Sequence, residues 1–559
     1  MITKTSADRF SNTLRQQIVF DGASTPLKTA LFVIVCLAWI LPGLIGHDPW
    51  KPEEAISFGA IYNLLTGGDW LIPGIAGVPY LVDPPFFTWA GALFATLFSP
   101  LLSLHDAARL TSGMFMAVTM LFTALAAMRL LDERAARISV LMLIGSLGLL
   151  LRAHEITAQL APFAGMSIAL YGLIRLYQEP RNGGIFLGLG SGLIALSAGI
   201  APALLLFIAP VVLGRLNNDW VTPQALRNLG IALLIALACG LLWPTLLLLL
   251  RSDFPVTAWL PAATGIHALA QGGRPFDPSY FLRLLPWYAL PALPVALWIM
   301  WREHKQIRQR LELAIPFVSF LVILLGLSLL REPRDDMALP LLLPLILAAA
   351  YGLERLPRGL ASFVDWFGTV TFFMFAALIW IGWSAANTGV PRFVAHWVAR
   401  EAPGYVHQIS WPLFALAVVL TIIWLFAVFR TRRTNRRAIV NWAAGIALIW
   451  MLGNLLWLPA IDHVRSYRST ALAIRGVLPI GEKCIAQMGL GDAQRAAFDY
   501  HAGLRFVATD DTTQAACDFL VVQGLRNRKP ALEPPWSLLW EGARPGDVSE
   551  RFRVYRKKY

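Results

Sequence analysis

The chain has 559 residues, 57% of them hydrophobic and 14% charged, with a formal net charge of +13. A water-soluble domain carries roughly 25% charged residues, and the mean hydropathy of +0.59 comes from blocks long enough to cross a bilayer, about 20 apolar residues each. These figures exclude an ordinary soluble enzyme, and basic residues scattered among loops exclude a nucleic-acid-binding domain, which gathers them on one soluble face.

Hydropathy predicts about thirteen membrane helices, at 28–46, 107–129, 137–152, 160–177, 183–198, 200–214, 229–250, 284–301, 313–330, 338–353, 364–385, 411–429 and 438–459. The start, MITKTSADRF, is followed by no small-residue cleavage site after the first span, so that span is expected to be retained as a helix. Basic residues collect in alternate loops: Arg129, Arg134 and Arg137, then Arg215 and Arg227, then Arg302, Lys305, Arg308 and Arg310, then Arg355 and Arg358, then the run FRTRRTNRR. With thirteen spans all of these share a side with the basic N-terminus, and the positive-inside rule places that side in the cytoplasm. The opposite face receives about 47–106, 251–283, 386–410 and the tail from about 460.

The first of these loops opens with DPWKPEEAISFG. Ile56, Ala60, Leu64 and Leu65 recur at helical spacing and predict a helix from Glu53 to Leu65. Pro52 suits its first turn, Glu53 and Glu54 suit the positive end of its dipole, and Gly67 and Gly68 would stop it. A second helix is predicted from about Phe86 to Phe98. Both are expected to be amphipathic and to lie in the membrane interface. By propensity alone, Glu53 and Glu54 are helix-start residues.

The tail has an ordinary globular composition. EKCIAQMG and CDFLVVQGL read as strands, AQRAAFDYHAG between them as a short helix ending at Gly503, and SERFRVYRKK as a last strand. The expected division is a membrane domain, 1–460, and a small extracytoplasmic α/β domain, 461–559. Cys36 and Cys239 lie within spans and read as apolar packing. Cys484 and Cys517 fall in the oxidising compartment, where neighbouring strands hold Cα atoms within the roughly 4.4–6.8 Å of a disulfide. A bridge between them is expected, with two buried free thiols as the alternative. No ATP-binding G-x-x-x-x-G-K-[ST] motif occurs, so chemistry on this face needs a substrate that arrives activated.

The order of parts in the first loop is specific: Lys51-Pro52-Glu53-Glu54, then Gly68-Asp69-Trp70, then Val82-Asp83-Pro84, with a helix after each acidic turn. This layout resembles the GT-C glycosyltransferases, especially the bacterial enzymes that move aminoarabinose to lipid A and the related protein O-mannosyltransferases. There the first loop carries an acidic pair after a proline, then GDW and an acid-Lys-Pro turn. Glu53 stands where that family usually has Asp, and Asp83 runs directly into Pro84 without the lysine. The family's second-loop acid, counted back about twelve residues from Tyr171, falls on Gln159, with His154 and Glu155 just upstream.

The resemblance implies an all-α polytopic GT-C enzyme of the bacterial inner membrane, with its C-terminal α/β domain in the periplasm. It would move a sugar from a polyprenyl (undecaprenyl) phosphate donor to lipid A, another glycan or a protein hydroxyl. Glu53 is the expected base, with Glu54 orienting it and Asp83 and Glu155 as further acids. Lys51, Arg152, Arg274, Arg331 and Arg334 are candidates for the donor phosphate, Arg334 foremost because it sits in a short loop. His154 and Gln159 would position substrate, and His267 lies in a loop able to cover the site. A divalent cation shared by Glu53, Asp83 and Glu155 stays open. The rival classes are an O-antigen ligase or polymerase, a structural scaffold and a secondary transporter; the last needs polar groups at mid-span, whereas the acids here collect in loops.

Overall fold

A chain embedded in lipid must satisfy its backbone hydrogen bonds internally, so the apolar runs fold as helices. The computed structural model describes residues 26–266, 276–430, 435–479, 481–482, 484–507, 517–527 and 536–558. Helix α1 (Pro26–Ile40) leads into a loop that holds α2 (Glu53–Leu65), the hairpin β1 (Gly74–Ile75) and β2 (Val78–Pro79), and α3 (Phe86–Phe98). The membrane domain continues through α4 (Leu104–Leu130), α5 (Glu133–Ile144), α6 (Leu160–Gln178), α7 (Pro180–Ala198), α8 (Ile200–Leu205), α9 (Ile208–Leu216) and α10 (Pro223–Leu250). After it come α11 (Val256–Thr264), α12 (Tyr280–Tyr288), α13 (Ala292–Arg302), α14 (Leu311–Ser328), α15 (Leu339–Leu353), α16 (Arg358–Thr388), α17 (Arg392–Glu401), α18 (Trp411–Arg430) and α19 (Asn435–Leu452).

Every expected span holds helix, but the count of thirteen is not met by length. Among the described residues eight helices are long and apolar enough to cross a membrane, or nine if α12 and α13, which meet at 109°, form one broken span. The shortfall has local causes. Helix α5 has 12 residues, α1 has 15 described residues, and α12 and α13 are separated by Leu290-Pro291.

Beyond a π-helical turn at Gly453–Trp457, α20 (Leu458–Arg465) and α21 (Arg468–Val477) lead into the tail. There β3 (Ile485–Met488), α22 (Asp492–Ala502), β4 (Phe519–Leu525), β5 (Trp536–Gly542) and β6 (Glu550–Lys557) form one sheet and its covering helix. The strand order is β3-β4-β6-β5, with β3 parallel to β4 and the other pairs antiparallel. Tyr467, Phe498, Phe552 and Val554 centre its core. Gly503, at φ +63°, ends α22 in the left-handed conformation that glycine adopts without strain.

Cys484 and Cys517 flank the paired strands β3 and β4, form a disulfide and hold their Cα atoms 5.1 Å apart. A closed loop of this length contributes on the order of 3–4 kcal/mol by chain entropy. Alkylation of unreduced, denatured protein followed by mass mapping is expected to label Cys36 and Cys239 only. Label on Cys484 and Cys517 would remove the bridge and the oxidising placement of the tail with it.

The tail grips the first loop. Asp48 accepts from the Ser466 hydroxyl at 2.6 Å and pairs with Arg468, while Asp462 accepts from the Asp48 amide and the Trp50 indole, each at 2.9 Å. Helix α22 lies on α2, where a Cβ on Gly59 would come within 2.4 Å of the Ala496 Cβ. Glycine at 59 is what lets the two helices approach so closely. Phe58 packs edge-on against Tyr500 at 4.7 Å. The expected interfacial placement of α2 is therefore corrected: its bounds are as expected, but both sides are buried under α3, α4 and α22. Helix α3 does expose an apolar face, with Leu93 and Leu97 each 64% accessible.

Candidate active site

Two adjacent acids at the start of α2 point in different directions, because successive helical residues are about 100° apart. Glu54 is buried to 1% exposure and fully engaged. It accepts from Arg109 Nε at 2.7 Å, from the Trp50 amide at 3.0 Å and from the Ile156 amide at 3.1 Å. Arg109, itself inaccessible, also binds Asp106 at 2.7 Å and donates to the His47 carbonyl at 3.0 Å. Burial alone would raise the Glu54 pKa, but Arg109, His47 and the Trp50 amide together hold it below the ordinary carboxylate value. Glu54 locks the first loop to α4 and to the loop before α6. Three of its roughly four acceptor positions are taken by protein donors, and the carboxylate is closed off from solvent.

Glu53 faces the other way and reaches Arg152, whose Nη1 lies 3.4 Å from Oε2. Arg152 also donates to Glu155 at 2.9 Å and, through both oxygens, to Asp335 at 3.1 and 3.2 Å. One guanidinium thus gathers three carboxylates from three separate segments: the start of α2, the loop before α6 and the turn before α15. Desolvation raises the Glu155 pKa to about 7; Arg152 opposes the rise, and Glu54 and Glu53 add to it. Glu155 therefore titrates near neutrality. The hairpin brings Tyr80 into the same field, its hydroxyl pushed up to about 12 by burial and by Asp83, with Arg334 opposing. Asp83, Glu53 and Arg334 all lie within electrostatic reach of that hydroxyl. Below the cluster, a Cβ on Gly148 would meet the Tyr288 ring at 2.3 Å, so this turn needs glycine.

The remaining expected residues separate by position. Lys51 pairs with Glu550 of the tail. His154 is buried between Trp39 and Trp450, its ring nitrogens each 2.8 Å from a backbone carbonyl, of Leu150 and Trp39. Burial lowers its pKa to about 4, with the two carbonyl contacts opposing. Gln159 precedes α6 and makes no side-chain cap. Arg331 is exposed, and Arg334 is 42% exposed with its Nε 3.6 Å from Asp336. His267 and Arg274 lie outside the described residues. In GDW, Asp69 accepts from Arg251 at 2.6 Å and from the Leu71 amide at 2.8 Å, which ties the first loop to the end of α10.

Among the described residues no group of three or more His, Cys, Asp or Glu side chains has metal-holding geometry. The cation between Glu53 and Glu155 in the structure is the Arg152 guanidinium. Asp335 and Arg109 were not singled out from the sequence. Arg109 carried a usable signal, since a charge inside an apolar helix is costly and marks a function or a partner. Asp335 carried none beyond its turn.

No family model matches the chain. It is 27% identical over 348 residues to the undecaprenyl phosphate-alpha-4-amino-4-deoxy-L-arabinose arabinosyl transferase of Pseudomonas aeruginosa, a match that covers 59% of this chain and 60% of that protein's length. It is 24% identical over 439 residues to the transferase of the same name from Serratia proteamaculans, covering 76% of this chain and 74% of that protein. The crystal structure of ArnT from Cupriavidus metallidurans bound to undecaprenyl phosphate superposes with a TM-score of 0.68 at 18% identity, over 95% of this chain and 98% of that one. The fold match covers 95% of this chain, and the chain is similar in sequence to these bacterial aminoarabinose transferases over 59–76% of its length.

Proposed function

We propose that this chain transfers a sugar from a polyprenyl-phosphate donor to an acceptor hydroxyl, on the periplasmic face that carries the first loop and the tail. The observation that supports it most is the Arg152 cluster, which sets an accessible carboxylate beside a cation where the fold's first loop meets the helices. Glu53 is the base: of the two adjacent acids it alone is partly accessible, at 17%, and it makes one long contact. The acceptor oxygen forms a bond to the anomeric carbon as the bond from that carbon to the phosphate oxygen breaks. The proton passes to Glu53, and the lipid phosphate leaves with the electron pair. Arg334, whose ion pair among the described residues is with Asp336 at 3.6 Å, stabilises the leaving phosphate by charge-assisted hydrogen bonds. Glu155, held near its titration point, tunes the charge of the cluster. A lipid-linked donor agrees with the undecaprenyl phosphate bound to the Cupriavidus protein.

The purified chain in detergent is expected to move radiolabelled sugar from an undecaprenyl-phosphate donor to a lipid A acceptor. In the same assay Arg334→Ala should raise the KM for donor more than Arg331→Ala does. No transfer from any lipid-phosphate sugar to lipid, glycan or peptide acceptors would overturn the reading.

A further inference from the structure

Helices α1, α5 and α19 all run from one membrane face towards the acid cluster. At that end they meet: Trp39 of α1 and Trp450 of α19 enclose His154, in the loop that follows α5. Along their length they leave a groove of about 210 Å³, which runs from Arg134 near the start of α5 to Ile144 at its end. Its walls are apolar, with Phe32 and Val35 from α1, Ile138 and Leu141 from α5, and Val440 and Ala444 from α19. Its rim is cationic, because Arg134, Arg137 and Arg436, in the first turns of α5 and α19, line the same groove. The positive ends of both helix dipoles add to that charge.

We infer that this groove binds an anionic phospholipid of the bilayer, with the phosphate at the three arginines and part of one acyl chain along the apolar walls. The combination of a lipid-facing apolar groove with a basic rim at one membrane face is the recognition chemistry of an anionic lipid headgroup. Arg134 is exposed and has no ion-pair partner among the described residues. Arg137 pairs with Glu133 at 2.9 Å and Arg436 with Glu354, and both acids are about half exposed, at 52% and 51%. Exposed pairs of this kind contribute little, so a phosphate can replace either carboxylate. The three arginines lie at the opposite ends of α5 and α19 from the Trp450–His154 contact, and an occupant would brace the three helices beneath the acid cluster.

The test is native mass spectrometry and thermal unfolding of the full chain in nonionic detergent, titrated with phosphatidylglycerol or with phosphatidylcholine of the same acyl chains. Phosphatidylglycerol is expected to bind at least about tenfold more tightly and to raise Tm, and soluble glycerol phosphate to do neither. Arg134→Gln, at an exposed position, should lower that preference several-fold, and the combined Arg134→Gln, Arg137→Gln and Arg436→Gln variant should abolish it. Equal binding of the two lipids, an unchanged preference in Arg134→Gln, or an equal effect of glycerol phosphate would overturn the proposal. A loss of sugar transfer by the unaltered chain with either lipid bears on the proposed function and leaves the lipid preference as it was measured.

Discussion

Glu53→Gln is expected to lower sugar transfer by at least about 10²-fold, the usual scale for a general base, with little change in stability. Glu54→Gln is expected to do the reverse, costing about 3–5 kcal/mol of stability, the scale for breaking a buried ion pair. The reason is in their partners. Glu53 makes one contact of 3.4 Å, at a partly accessible position. Glu54 joins the inaccessible Arg109 and two backbone amides, and its amide replacement leaves that guanidinium with Asp106 as its one buried carboxylate partner among the described residues. The pH dependence follows the depressed pKa of Glu54. Its contribution is fully present above the ordinary carboxylate pKa of about 4.5 and is lost as pH falls through its lower folded value. Unfolding of wild type and Glu54→Gln in detergent, followed from pH 7 down to about pH 2, should therefore show a gap that is constant above about pH 4.5 and closes below it. Near-normal turnover by Glu53→Gln, or a Glu54→Gln protein as stable as wild type at pH 7, would reverse the assignment of the two acids.

Local signals were legible in the sequence, and distant pairings were not. Helices α2 and α3 begin and end where apolar spacing, Pro52 and the Gly67-Gly68 pair put them, since each signal acts within a few residues. The same holds for β3, α22, β4 and β6. Strand β5 was missed because WSLLWEG has no clean alternation and stays largely accessible, at the edge of the sheet. Lys51 was read as a donor ligand because its partner Glu550 is 499 residues away in sequence. Glu53, Arg152 and Glu155 were named from the sequence, but not as one cluster, since the first pairing spans 99 residues and the link to Asp335 spans 183. A motif sets where a residue stands on its own helix. Only packing sets what it faces.

Arg152→Met is expected to abolish most transfer and to move the pH profile of what remains by at least about one unit towards alkali. Glu53, Glu155 and Asp335 would then face one another with no cation among them, and like charges at this range disfavour joint ionisation. Glu155 already titrates at about 7 through burial, and Arg152 is the largest influence holding it down. Without the guanidinium its pKa rises further, so a smaller fraction is ionised at pH 7 and the shared charge is recovered only at higher pH. Arg152→Lys restores the charge but not the planar fork that reaches Glu53, Glu155 and Asp335 together, so it should recover the pH optimum before it recovers the rate. Transfer rates measured from pH 5.5 to 9 for wild type, Arg152→Met and Arg152→Lys separate charge from geometry. Identical pH profiles in all three would show that the cluster does not set the protonation state of the reacting base, and would leave Arg152 as a packing residue between α2 and the turn at Asp335.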